Sequence, residues 1–172
     1  MPVRTLSLAD QVCLAIVGER RTHGWAIVKL LAPEGDLGRI WSLNRALTYR
    51  AIDRLVDLGL VDRSEAGRRA ELQITAAGRR QQGRWLTRPV EHLRDLRTEF
   101  LLKLALCERS SIDTAALIAA QRKQLLPAID ALTDRDPDDV VALWRHESAQ
   151  TAARFLERLD PARSGQVRPS LA

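Results

Sequence analysis

The sequence predicts a mainly α protein: an N-terminal winged helix-turn-helix with a short β-hairpin wing, followed by a C-terminal helical dimerisation region. Three observations predict it. Apolar residues recur at helical spacing in three short segments before residue 60, the period then switches to alternation, and long amphipathic runs fill the remainder. The expected units are residues 1–88, residues 89–160 and a disordered tail at 161–172.

Leu8, Val12, Ala15 and Ile16 share one side of a first helix spanning Leu6 to Val17, and "GERRTHG" breaks it. Thr22 is placed to cap a short second helix, "HGWAIVKLLA", whose apolar positions are Trp25, Ile27, Val28 and Leu31; Pro33, Gly35 and Gly38 end it. The segment "NRALTYRAIDRLVDLGL" is a third helix, capped by Asn44 or Ser42 and stopped by Gly59. At about 100° per residue its stripe is Leu47, Ala51, Leu55 and Leu58, widened by Ile52 and Val56, so the opposite arc presents Ala46, Tyr49, Arg50 and Asp53.

"LVDRS" and "AELQIT" then alternate, with "EAGR" as the turn between two strands. Thr75 caps "AAGRRQQGRWL", and Pro89 opens an amphipathic run, "VEHLRDLRTEFLLKLALC", with Leu93, Leu96, Phe100, Leu101 and Leu104 on a common side. Two further helices, near Ile112–Leu132 and Pro137–Leu159, flank the acidic break "TDRDPDD".

With 172 residues, 45% hydrophobic and 28% charged, the chain has enough apolar material for one good core or two small ones. Its net charge of +5 is uneven: residues 1–88 hold 15 Lys or Arg against 9 Asp or Glu, and residues 89–172 hold 12 against 13. A basic first half suits a polyanion, most simply DNA or RNA, although charge alone also suits membranes or acidic proteins. Cys13 and Cys107 each sit in an apolar helical pattern without a second cysteine nearby, which argues against a disulfide framework or a zinc site and fits a reduced cytoplasm. The first residues lack the apolar core of a signal peptide, and no stretch approaches the roughly 18 apolar residues of a membrane span. His23, His92 and His146 are scattered and there is no Gly-rich phosphate loop, so neither an enzyme, a metal site nor a cofactor is expected.

The third helix carries the candidate chemistry. Its first turns enter a DNA major groove in helix-turn-helix docking, where Arg bridges guanine O6 and N7, Asn pairs with adenine and a small Ala meets a thymine methyl. Base readout is therefore assigned to Asn44, Arg45, Ala46, Tyr49 and Arg50. Backbone contacts are assigned to Thr22, His23 and Gly24, at the amides opening the second helix, and to Arg63, Arg68 and Arg69 of the wing. The plainer reading is that Arg45, Arg50 and Arg54 form a solvated face with Asp53 and Asp57 as local ion pairs.

In the last helix Val140, Leu143, Trp144, Ala152, Phe155, Leu156 and Leu159 offer more apolar surface than one small partner helix needs. Homodimer contacts are assigned to Leu143, Phe155, Leu156 and Leu159. Trp144 and His146 are candidates to line an effector pocket between the units, against the alternative of ordinary core packing. Cys107 is either a redox switch or a small buried hydrophobe.

The segments "HGWAIVKLL", "WSLNRALTYRAIDRLVDLGLV", "GRRAELQITAAGR" and "RPVEHLRDLRTEFLLKLAL" together resemble the PadR family of bacterial transcriptional regulators over roughly residues 6–108. The signals are the His-Gly-aromatic of the second helix, the Tyr49 helix ending in Leu58-Gly59-Leu60, and the wing leading into Ile74-Thr75-x-x-Gly78. The resemblance implies a homodimeric repressor in which a winged helix binds a near-palindromic operator and a helical part dimerises, in some members responding to a small-molecule effector. At "NRALTY" the chain departs from the family's Ser-Pro-Gly-Ser-Leu-Tyr: Arg45 and Ala46 replace Pro and Gly, and Thr48 replaces an apolar residue. A winged helix serving protein contacts or RNA is the alternative reading.

Overall fold

The computed structural model describes residues 6–64, 70–134 and 138–159. The first helix, α1 (Leu8–Glu19), starts at a reciprocal cap: the Ser7 hydroxyl accepts from the Asp10 amide at 3.2 Å, and the Asp10 carboxylate accepts from the Ser7 amide at 2.9 Å. It is buried almost all round from Asp10 to Val17 and packs on the third helix, the last strand and the fourth helix of the first unit, which makes it that unit's central post. Next come β1 (Thr22–His23), α2 (Gly24–Leu31), α3 (Arg45–Asp57), β2 (Val61–Arg63), β3 (Glu71–Ile74) and α4 (Ala76–Thr87).

Asn44 caps α3, its Oδ1 accepting from the Leu47 amide at 2.9 Å, and Gly59, at φ 66°, turns the chain out of the helix in the left-handed conformation. The buried stripe is Thr48, Ala51, Ile52 and Leu55, with Leu47 exposed, so the helix is rotated relative to the expected stripe. Thr48 is wholly buried at no polar cost because its hydroxyl donates to the Asn44 carbonyl at 3.0 Å. The expected hairpin forms, but the sheet has three strands in the order β1-β3-β2, all antiparallel. Thr22 pairs with Leu72 and His23 with Glu71, so Thr22 is a strand residue and His23, not Thr22, occupies the N-cap of α2. Thr75 caps α4 as expected, accepting from the Gly78 amide at 3.0 Å, and its hydroxyl lies 2.9 Å from the Gly59 carbonyl, which it donates to.

The run after Pro89 is not one α-helix. It passes through a 3₁₀ turn (Leu93–Asp95) and a π turn (Leu96–Phe100) into α5 (Leu101–Arg109). The extra residue in the π turn changes the facing of the helix: Leu96, Phe100 and Leu104 join a second apolar cluster, while Leu102, Ala105, Leu106 and Cys107 join the first. The second cluster is completed by α6 (Ala115–Thr133) and α7 (Val140–Arg158). Thus α5 contributes to both cores. The tail at 161–172 lies outside the described residues.

The joint between the cores is polar and paired. Lys103, only 1% exposed, donates to the Arg88 carbonyl at 2.8 Å and pairs with Glu99 at 2.7 Å, while its ammonium sits 5.1 Å from the Trp85 ring centre. Trp85 donates its indole N–H to the same Glu99 carboxylate at 3.0 Å.

Candidate nucleic-acid interface

The start of α3 presents Asn44, Arg45, Ala46 and Arg50 to solvent, with Tyr49 half-buried beside them. Asn44 is first a cap, so its amide NH₂ and one carbonyl lone pair remain for a base. The Arg45 guanidinium lies 5.8 Å from the Trp25 ring centre and 5.7 Å from that of Tyr49, within cation–π reach of both. Trp25, expected on an apolar core stripe, is 55% exposed instead, at the second position of α2. Leu47 is likewise outside the core, at 41% exposure.

Gly24 makes this arrangement sterically possible. A Cβ there would stand 2.7 Å from Tyr49 Cε1, so any side chain would displace the phenol. His23 provides extended backbone before α2, with Nδ1 3.3 Å from the Ala70 carbonyl oxygen; its side chain does not cap the helix, which leaves the opening amides of α2 available to an anion. A groove of about 770 Å³ separates α2, α3 and the sheet, walled by Trp25, Tyr49, Ile52, Lys29 and Arg63.

Arg63, at the end of β2, is bound to Asp53 of α3 at 2.5 Å, so it braces the wing against the helix and its charge is partly neutralised. Arg54 pairs with the buried Asp10 carboxylate at 3.4 Å, fastening α3 to α1. Arg68 and Arg69 lie outside the described residues.

The C-terminal assignments divide. Leu143 is 47% exposed, alongside Val140, Val141 and Trp144. Leu156 is 2% exposed inside the second cluster, and Phe155 and Leu159 are partly buried against that cluster. Trp144 and His146, two residues apart on α7, point in different directions. Trp144 is 72% exposed, whereas His146 turns to α6, with Nδ1 3.1 Å from the Leu132 carbonyl oxygen.

A smaller cavity of about 320 Å³ lies between α1, α2 and the end of α5. Arg109 there grips Glu19 with two bonds of 2.8 and 2.9 Å, which raise its pKa. Cys13 and Cys107 are buried; burial pushes the Cys13 thiol up to about 12, with Asp10 adding to it, and raises that of Cys107. Among the described residues no cluster of three His, Cys, Asp or Glu could hold a metal ion, and no helix is long and apolar enough to cross a membrane.

No family model matches the chain, and no curated protein does. Solved structures do, over nearly their whole length. The chain is similar to PadR of Bacillus subtilis. The PadR complex with operator DNA is 18% identical with a TM-score of 0.44, covering 92% of this chain and 99% of the other. The PadR complex with p-coumaric acid is 18% identical with a TM-score of 0.43, covering 96% and 99%. A further PadR structure is 16% identical with a TM-score of 0.44, covering 96% and 100%.

Proposed function

We propose that the chain is a sequence-specific DNA-binding transcriptional regulator, acting as a homodimeric repressor on a near-palindromic operator. The observation that carries this reading is Arg45: a cation at the exposed entry of α3, beside the uncapped amides of α2, where helix-turn-helix docking places base readers next to backbone anchors. The basic charge of residues 1–88 supports it as a long-range attraction to duplex.

Two copies would join through the start of α7, where Val140 and Trp144 are 79% and 72% exposed with Val141 and Leu143 between them. Two winged helices held about one duplex turn apart would double the contact and impose half-site spacing. Release by a small-molecule effector belongs to the same reading.

The test is selection of bound duplexes from a random DNA pool at moderate salt, followed by sequencing. An inverted repeat with half-sites about one turn apart is expected. Recovery of no enriched sequence, together with binding that is insensitive to salt, would favour a winged helix used for protein contacts.

A further inference from the structure

The surface at the start of α3 is built around a single side chain. Arg45 is the first residue of the helix, and its neighbours hold it from two different elements: Trp25 from α2 and Tyr49 one turn along α3. No carboxylate among the described residues pairs with Arg45, in contrast to Arg63 and Arg54, which Asp53 and Asp10 engage. An exposed arginine ordinarily samples many rotamers and loses that freedom when it meets a base. Between two aromatic rings much of that loss has occurred on folding. A guanidinium attracted by ring faces still has its N–H donors for guanine O6 and N7.

We infer that Trp25, although it lies outside the reading helix, is a specificity-determining positioning residue: with Tyr49 it holds the Arg45 guanidinium in the pose that reads one guanine in each half-site. This rests on the DNA-binding reading above. It also accounts for a tryptophan left more than half exposed on a helix whose following residues, Ile27 and Val28, are buried. Gly24 belongs to the same device, since it leaves room for the Tyr49 ring that forms the second wall.

The experiment uses the full chain and the duplex recovered by selection, with each guanine replaced in turn by 7-deazaguanine, which keeps Watson–Crick pairing and O6 but lacks the N7 acceptor. For the unmodified protein, one guanine per half-site should show a penalty of about 5- to 100-fold. Arg45→Ala should abolish that penalty. Trp25→Ala should reduce it to about twofold or less while leaving affinity for random duplex and its salt dependence unchanged, and Trp25→Phe, which keeps a ring, should restore most of it. Equal loss by Trp25→Ala on selected and random DNA would make Trp25 a backbone contact and overturn the inference. So would a full 7-deazaguanine penalty in Trp25→Ala. If even the unmodified protein selects no sequence, the failure is that of the DNA-binding reading itself. Circular dichroism of each variant separates these outcomes from simple unfolding.

Discussion

Gln121 of α6 holds both backbone groups of Val90: its Oε1 accepts from the Val90 amide at 2.7 Å and its Nε2 donates to the Val90 carbonyl at 3.0 Å. The side chain is fully buried, so it stands in for a strand partner where the chain enters the second unit. Gln121→Leu would strand two buried backbone groups. At about 1–3 kcal/mol for each, stability should fall by a few kcal/mol in urea unfolding, with secondary structure retained.

The two ends of α7 should respond oppositely to a charge. Leu156→Asp places a carboxylate in the second core and should lower the unfolding free energy by about 3 kcal/mol or more. Leu143→Asp with Trp144→Asp lies on exposed surface and should leave the thermal midpoint nearly unchanged while converting dimer to monomer in sedimentation. A monomeric parent protein would remove the α7 interface from the functional reading.

Leu47 is exposed in the first turn of α3. Replacing thymines of the selected duplex by uracil removes only a methyl group, and one such change per half-site should weaken binding by the parent protein. Leu47→Ala should be indifferent to it, as measured by fluorescence anisotropy.

Burial lowers the pKa of Lys103 below its ordinary value of 10.5, against the opposing effect of the hydrogen bond it donates to Glu99. Between that lowered value and 10.5 the unfolded chain holds a proton that the folded chain has released, so this group adds stability as pH rises through the window. Relative to Lys103→Met, the parent protein should therefore gain stability toward pH 10.5 and show its largest deficit below the window, in paired denaturant titrations.

Both thiols are buried and held protonated at neutral pH, Cys13 most strongly. An aromatic disulfide reagent should titrate neither in the native protein and both after unfolding. Prompt reaction of Cys107 in native buffer would reinstate it as a redox switch.

Much of this was legible in the chain. Asn44 and Thr75 announced their helices as caps, Gly59 its stop, and the change of period the hairpin. The misread stripe of α3 has a specific cause: Leu47 is apolar and Thr48 is not, yet Thr48, Ala51, Ile52 and Leu55 hold the i, i+3, i+4, i+7 spacing, and a back-bonded hydroxyl makes Thr48 acceptable in the core. A two-residue strand has no alternation of its own, so β1 is defined only by its partner β3, forty-eight or more positions away in sequence. The Arg45 stack joins residues twenty positions apart on separate helices, a relation that neither helix's periodicity contains. The exposed and buried ends of α7 look alike in sequence because the difference is made by Leu93 and α6, not by α7.

The sharing of α5 between the two cores has a practical corollary for dissection. A fragment ending at residue 88 would open the slot that Leu102, Ala105, Leu106 and Cys107 fill, and would expose the apolar side of α1. The smallest piece that keeps its own interior reaches Arg109, whose two hydrogen bonds to Glu19 clasp the end of α5 to the end of α1. Even that piece would carry Leu96, Phe100 and Leu104 as an uncovered apolar face, because α6 and α7 supply the rest of their cluster.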